Sequence, residues 1–365
     1  MKKLKFGKLT NNHLLSIVIT FLASSLIFFG YYFLFHPMKL QLLYQSWDGP
    51  AIVVVARSFY DHSLIAQANT VNLPDYHFAN FLPLFPVFIK LFSFIGYWRS
   101  SIFTTQLFTL LFIVVMYTLL KMVYPKEKLN WIAIPLIFFP ARWFSITHIG
   151  SSEPLFLLLI TLFLLFWIKK KYFYSALFLA LAQITRHAAI WFFLGLGAYL
   201  LFMWLTKKIN LSKVLKTFFP YLLVPLALAA VNTFFYLRYG DFSFLSAYSQ
   251  KGAYFQFIPF QIFNLPTAGV WTESLVFNYL LYLCGVILLF KERKYLFAFL
   301  FLFNFLPLIF LVQEDLSRIA LSGLPLLYLA YHRVITNKAF QLALIILIPA
   351  IYLYSFHFLN YNISP

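Results

Sequence analysis

Asp48 stands in "YQSWDGPAIVVVARSFYD", residues 44–61, a carboxylate between a Trp and a Gly-Pro turn in a chain otherwise dominated by Phe, Leu and Ile. At a boundary between water and lipid, such a group can accept a proton from a hydroxyl or bind an acceptor, with Trp47 as an apolar wall. A purely structural reading is just as simple. Asp is a good helix N-cap and Gly-Pro marks a turn, so an amphipathic helix is expected to follow. Arg57 and Asp61, one turn apart on that helix, then explain each other as an ion pair.

Four other polar stretches interrupt the apolar sequence. "FFPARWFSITHIGSSEPLF" (138–156) brings Arg142, His148 and Glu153 to a junction between two helices. There snorkelling accounts for the Arg, and a Ser151 or Ser152 cap with Glu153 in the first turn accounts for the rest. "ITRHAAI" (184–190) sets Arg186 and His187 in a tight turn between two apolar runs, where a carboxylate or phosphate should hold the cations. "LRYGDFSFLSAYSQKGAYFQF" (237–257) reads as a Tyr-Gly-Asp turn around Asp241 followed by interfacial aromatics. "QEDLSRIALSGLPLLYLAY" (313–331) gives Glu314, Asp315 and Arg318 at a helix start. Asp315 or Ser317 can cap that helix, and Arg318 can pair with Glu314.

The elements that carry these groups are membrane helices. Of 365 residues, 62% are hydrophobic and only 10% charged, which excludes an ordinary soluble domain. Apolar runs of about 15–23 residues recur along the chain, continuous rather than alternating, so the expected fold is an all-α polytopic membrane protein and not a β-barrel. The run His13–Phe35 is too long for a signal-peptide core and is read as a retained helix. The net charge of +18 is explained without nucleic acid. Lys2, Lys3, Lys5 and Lys8, then Lys169–Lys171, then Lys207, Lys208, Lys213 and Lys216, then Lys291, Arg293 and Lys294 each close an apolar run, as cytoplasmic loops do. The single Cys284 lies inside an apolar run and gives neither a disulfide nor a thiolate cluster.

Placing these clusters inside predicts about eleven spans with the N-terminus cytoplasmic and the C-terminus outside. The spans are 13–35, 101–123, 131–144, 154–168, 172–185, 189–206, 217–237, 271–290, 295–312, 319–332 and 339–357. Segment 81–96 has no side to cross to and is expected to be interfacial or re-entrant. The domain plan is one integral membrane domain, 1–365. Within it lie a first outer loop 36–100, a helical module 101–238, a second outer loop 239–270 and C-terminal helices 271–365. Of ten acids, only Glu127 and Glu292 fall inside, so polar chemistry is expected on the outer face. No Walker loop, dinucleotide fingerprint or metal-spaced His pair is present, and twelve Gly are few for a transporter with broken helices.

In order along the chain, "WDGPAIVVVARSFYD", "NFLPLFPVFIKLFS", "FFPARWFSITHIGSSEPLFLLL", "ALAQITRHAAI", "RYGDFSFLSAYSQKGA" and "LSRIALSGLPLL" resemble the motifs of the PIG-V-like membrane mannosyltransferases, members of the GT-C glycosyltransferase superfamily. The resemblance spans most of residues 40–330. Departures are Phe59-Tyr60 in place of Gly-Tyr, His148 in a position often held by Tyr, and Ile319 after Arg318 in place of Tyr. The resemblance implies a GT-C-like bundle and an inverting transfer of a sugar, mannose favoured, from a polyprenyl-phosphate-linked donor to a hydroxyl of a lipid, glycan or protein on the extracytoplasmic face. By that likeness Asp48 is the base, and Arg186, His187, Arg142 and Arg318 bind the donor phosphate. Trp47, Glu153, His148, Asp241 and Arg57 then contact sugar or acceptor. No cofactor is required; a divalent metal (Mg or Mn) on Asp48 and Glu153 is allowed but not demanded. Membrane lipids are expected partners, nucleic acid is not, and a partner subunit is left open. The chain is short for the family, which favours a prokaryotic cell membrane. The rival expectations are a lipid-linked-sugar flippase or transporter, with charges at the midplane, and a non-catalytic scaffold of the same fold.

Overall fold

The structure, a computed structural model, describes residues 11–35, 40–69, 73–264, 272–313 and 315–361. The N-terminal lysine cluster and Glu314, the partner expected for Arg318, fall outside these residues. Among the described residues all regular structure is helical, and the one extended pairing is an isolated bridge between Phe255 and Leu311. Five helices are long and apolar enough to cross a membrane: His13–Phe35, Tyr97–Val123, Leu211–Tyr239, Ser274–Lys291 and Lys338–Asn360. This is the architecture of a multi-pass α-helical membrane protein.

Shorter apolar helices fill the interior. Glu153–Ile168 carries apolar residues on every face and is buried along most of its length, as expected for a core helix rather than a lipid-facing one. At 1.5 Å per residue it is about 24 Å long. It packs against Tyr97–Val123 on one side and Tyr172–Gln183 on the other. Ala189–Leu205 lies on Tyr295–Phe310, and a Cβ at Gly195 would come within 3.0 Å of the Leu300 Cα, so the two backbones touch there.

Three segments differ from the sequence expectation. The run 131–144 is not one helix but two, Ala133–Phe138 and Ala141–Ile146. Pro140 has no N–H to continue the ladder and holds Phe139 extended, at φ −123° and ψ 130°. The run 319–332 is likewise split into Leu316–Ala320, a 3₁₀ turn Leu321–Gly323 and Leu324–Ala330. The Gly49–Ser58 helix is not amphipathic in use. All its residues except Arg57 are buried, against Leu84–Leu91 and Tyr97–Val123. In segment 81–96 the longest helix, Leu84–Leu91, is about 12 Å long and too short to cross.

The two predicted outer loops are one structure. Val54, Val55, Tyr60, Phe78 and Leu82 from the first share a hydrophobic cluster with Val231, Phe235, Phe244 and Ala247 around the second. Arg238 Nε donates to the Phe59 carbonyl at 3.0 Å, and the Tyr239 hydroxyl donates to the Asp75 carbonyl at 3.0 Å. This double loop caps one end of the bundle.

Charges segregate by end. Glu127 and Glu292 converge on His332, at 3.6 and 3.8 Å, with Arg333 3.5 Å from Glu292. Asp48, Glu153 and Asp315 gather at the other end, under the loop cap. The Glu153–Ile168 helix joins the two regions, running from Glu153 at its first turn to Lys169 at its C-cap.

Candidate functional site

The Trp47–Pro50 turn delivers Asp48. Trp47 adopts left-handed backbone geometry, φ 49°, and Gly49 lies so close to Tyr44 that an added Cβ would sit 2.8 Å from its carbonyl oxygen. Asp48 occupies the N-cap position, but its side chain makes no capping bond. The carboxylate instead meets Arg318, with Oδ2 and Nη2 2.9 Å apart. It remains 45% exposed, whereas its partner is 10% exposed.

Arg318 bridges two acids. Its Nε donates to Glu153 Oε1 at 2.5 Å while Nη2 holds Asp48, and Asp315 lies 3.8 Å from Nη1. Glu153, 3% exposed, also receives Arg186 Nη1 at 2.8 Å and the Ser151 hydroxyl. Arg186 further donates to Ser152 Oγ at 3.1 Å. Arg142 pairs with Asp315, and its guanidinium lies 3.5 Å from the Phe358 ring centre and 4.8 Å from that of Trp47. Three carboxylates therefore meet three guanidinium groups, and the network is neutral within itself. Such a buried set persists only with nearly every lone pair and N–H satisfied.

The expected structural roles are not the ones taken. Asp315 and Ser152 sit at N-cap positions without side-chain caps; Asp315 serves Arg142, and Ser152 serves Arg186. Arg142 does not snorkel; it is paired and stacked. Arg142 and Arg318, expected at a donor phosphate, are instead neutralised by carboxylates, so their positive charge is already committed. Trp47 is a wall, but its ring is flanked by the Arg142 and Arg318 guanidiniums.

Three candidates lie elsewhere. Arg57 is exposed, 5.3 Å from the Tyr97 ring centre, and does not pair with Asp61. Asp61 caps His62–Ala68 through the Ser63 and Leu64 N–H groups and lies 3.5 Å from Arg238. The Ser63 hydroxyl, donating at 2.6 Å, and then these backbone groups hold its carboxyl below the usual range. Asp241 is exposed and accepts from the Ser243 N–H at 2.8 Å, closing its own turn. His148 is a core residue, stacked at 4.0 Å on Phe28 with Nδ1 against the Phe144 carbonyl at 2.8 Å.

His187 is with Arg186 but is not a second cation. Burial, then the charges of Lys251 and Arg186, push its imidazole down to about 3, so the ring is neutral near pH 7. Its edge meets Tyr248 at 5.3 Å, and its Nε2 has no hydrogen-bond partner among the described residues.

The cation that completes the site is Lys251, at the end of the Leu245–Ala253 helix. Its Nζ donates to the Asn80 carbonyl at 3.0 Å, and no carboxylate among the described residues pairs with it. Its side chain is exposed. Burial and the nearby Arg186 pull its amine down to about 8, while Asp48 opposes the shift. His77 feels both Asp48 and Lys251 as well. Asp48, His77, Arg186 and His187 thus lie within electrostatic reach of Lys251. One signal in the sequence points to Lys251: a lysine in an outer loop runs against the positive-inside bias.

An apolar groove of about 310 Å³ is lined by Trp191, Phe255, Phe257, Leu306, Pro307 and Phe310. Trp191 follows Arg186 by little more than one helical turn, and Phe255 follows Lys251 by four residues. No three His, Cys, Asp or Glu side chains among the described residues are placed to hold a metal ion. Asp48 and Glu153, the pair expected to bind one, have the Arg318 guanidinium between them, so these residues do not fit a divalent cation. Compared with protein-family models, curated proteins and solved structures, the chain matches none.

Proposed function

We propose that the protein is a membrane glycosyltransferase that moves a sugar, mannose favoured, from a polyprenyl-phosphate-linked donor to a hydroxyl acceptor. The observation that carries this reading is the exposed Asp48 carboxylate, the open edge of a buried neutral network, within electrostatic reach of Lys251, a lysine with no carboxylate partner among the described residues. A glycosyl donor of this kind places one anionic phosphate beside the anomeric carbon, and the site offers one surplus cation. Asp48 accepts the proton of the acceptor hydroxyl as its oxygen attacks that carbon. The bond from the carbon to the phosphate oxygen breaks, and the phosphate leaves with its charge held by Lys251. Attack opposite the leaving group inverts the anomeric centre. Glu153, Arg318, Asp315 and Arg142 hold Asp48 and Arg186 in place rather than touching substrate.

Two further features support the reading. The apolar groove lined by Trp191 and Phe255, which follow Arg186 and Lys251 closely in sequence, suits the chain of a lipid-linked donor. The ionic networks lie at the two ends of the bundle, and no ion pair among the described residues stands between them, which favours a transferase over a transporter with midplane charges. In this proposal the bundle makes about eleven crossings with a cytoplasmic N-terminus, resembles the GT-C arrangement, and sits in a prokaryotic cell membrane with the Asp48 cleft outside.

The test incubates the purified protein with polyprenyl-phosphate-mannose and a panel of lipid, glycan and peptide acceptors, alongside Asp48→Asn. Transfer by the wild type and its loss in a folded Asp48→Asn variant, by about 10²-fold or more, is the expected result. Near-normal turnover by the variant removes Asp48 from the role of base.

A further inference from the structure

At the opposite end of the bundle, a second cavity of about 280 Å³ opens between the end of Ala189–Leu205 and the turn joining Thr272–Lys291 to Tyr295–Phe310. Lys208, Arg293 and Lys294 line it, with Tyr199, Met203 and Tyr295. No carboxylate lines it, and none among the described residues pairs with the three cations. The acid next to them in sequence, Glu292, is turned away. It lies 3.5 Å from Arg333 and 3.8 Å from His332, and accepts from the Tyr124 hydroxyl at 3.3 Å.

Two of the cations also lie against aromatic rings. Lys208 Nζ lies 4.6 Å from the centre of the Tyr295 ring and 5.4 Å from that of Phe202; Lys294 Nζ lies 5.2 Å from that of Tyr124. Such contacts orient an ammonium without neutralising it. Three like charges around one cavity repel one another, and an anion in the cavity relieves that repulsion. Positive-inside topology accounts for basic residues at this end. It does not account for three of them lining a single cavity without an acid.

We propose that this cavity binds the phosphate-bearing headgroup of an anionic membrane lipid, held by Lys208, Arg293 and Lys294 and walled by Tyr199 and Tyr295. A lipid is favoured over a soluble phosphate because Met203, Leu296 and Phe297 line the same cavity as the cations. Beside it the Phe202 ring centre lies 5.4 Å from that of Tyr295 and 5.3 Å from that of Phe299. Basic recesses between membrane helices are suited to such headgroups. The inference is independent of the glycosyltransferase reading.

Native mass spectrometry of the full-length protein in detergent, titrated with phosphatidylglycerol or phosphatidylethanolamine of the same chains, tests it. The wild type should retain the anionic lipid about tenfold or more over the zwitterionic one. The triple variant Lys208→Ala, Arg293→Ala, Lys294→Ala should lose that preference. A control with equal charge loss, Lys170→Ala, Lys171→Ala, Lys213→Ala, should keep it. If the triple variant does not fold, Lys208→Gln and Arg293→Gln alone should each lower the preference several-fold. An equal loss in the control, or no preference in the wild type, overturns the proposal. Displacement of the lipid by excess inorganic phosphate overturns the lipid assignment.

Discussion

Lys251 and Arg318 are both cations near Asp48, but their surroundings give them opposite tasks. Arg318 is buried between acids and its charge is spent; Lys251 is exposed, with only a carbonyl at its amine. Removing the Arg318 guanidinium leaves Glu153 short of a partner in the interior, so Arg318→Ala should cost about 3–5 kcal/mol, read as a fall in thermal stability in detergent. A neutral Glu153→Gln partner should make the second change less costly than the first alone. For Lys251 the readout is pH. Its amine, at about 8 in the folded protein against the ordinary 10.5, loses its proton as pH rises through 8. Donor KM should therefore climb above pH 8 in the wild type and stay level in Lys251→Arg. The folded state binds fewer protons than the unfolded one between about 8 and 10.5, so this lysine's contribution to stability rises with pH in that window. A KM that ignores pH in the wild type would take Lys251 out of donor binding.

The element that most controls the cleft is the short helix Gly49–Ser58. Its sequence, GPAIVVVARS, reads correctly as a turn followed by a helix, but not as a buried one. Nothing in a ten-residue pattern tells a lipid-facing apolar stripe from one enclosed by a second loop. Burial fixes Asp48 by fixing the helix start, and Gly49 is where the fit is tightest. Gly49→Ala should displace the turn, since the obstructing atom is a backbone oxygen that cannot swing aside. Activity should fall at least tenfold with expression largely retained; unchanged kcat/KM would show that the turn tolerates the shift. The split helices are a related lesson. Pro140 announces the break at 139–140, whereas hydropathy alone runs through it.

Across the whole molecule, acids and bases sort to two ends that a single buried helix connects. The orientation of those ends can be measured directly, because the chain has one cysteine. In a Cys284→Ser background, an impermeant maleimide applied to intact cells should label Arg99→Cys and not Lys170→Cys. The reverse pattern overturns the orientation, and protection of both means that segment 81–96 crosses.

What the sequence determined by itself was the helical membrane fold, the helix ends marked by lysines, and the set of polar stretches from which the cleft is built. These follow from local properties: run length, charge position and turn residues. Only the tertiary structure decided the partners. It took Arg57, Asp241 and His148 out of the site, neutralised Arg142 and Arg318 with acids, and brought Lys251 within electrostatic reach of Asp48. The reason is that hydropathy fixes which residues leave water but not which buried charges meet. Charge pairing over separations such as Asp48 to Arg318 is set by how the helices pack.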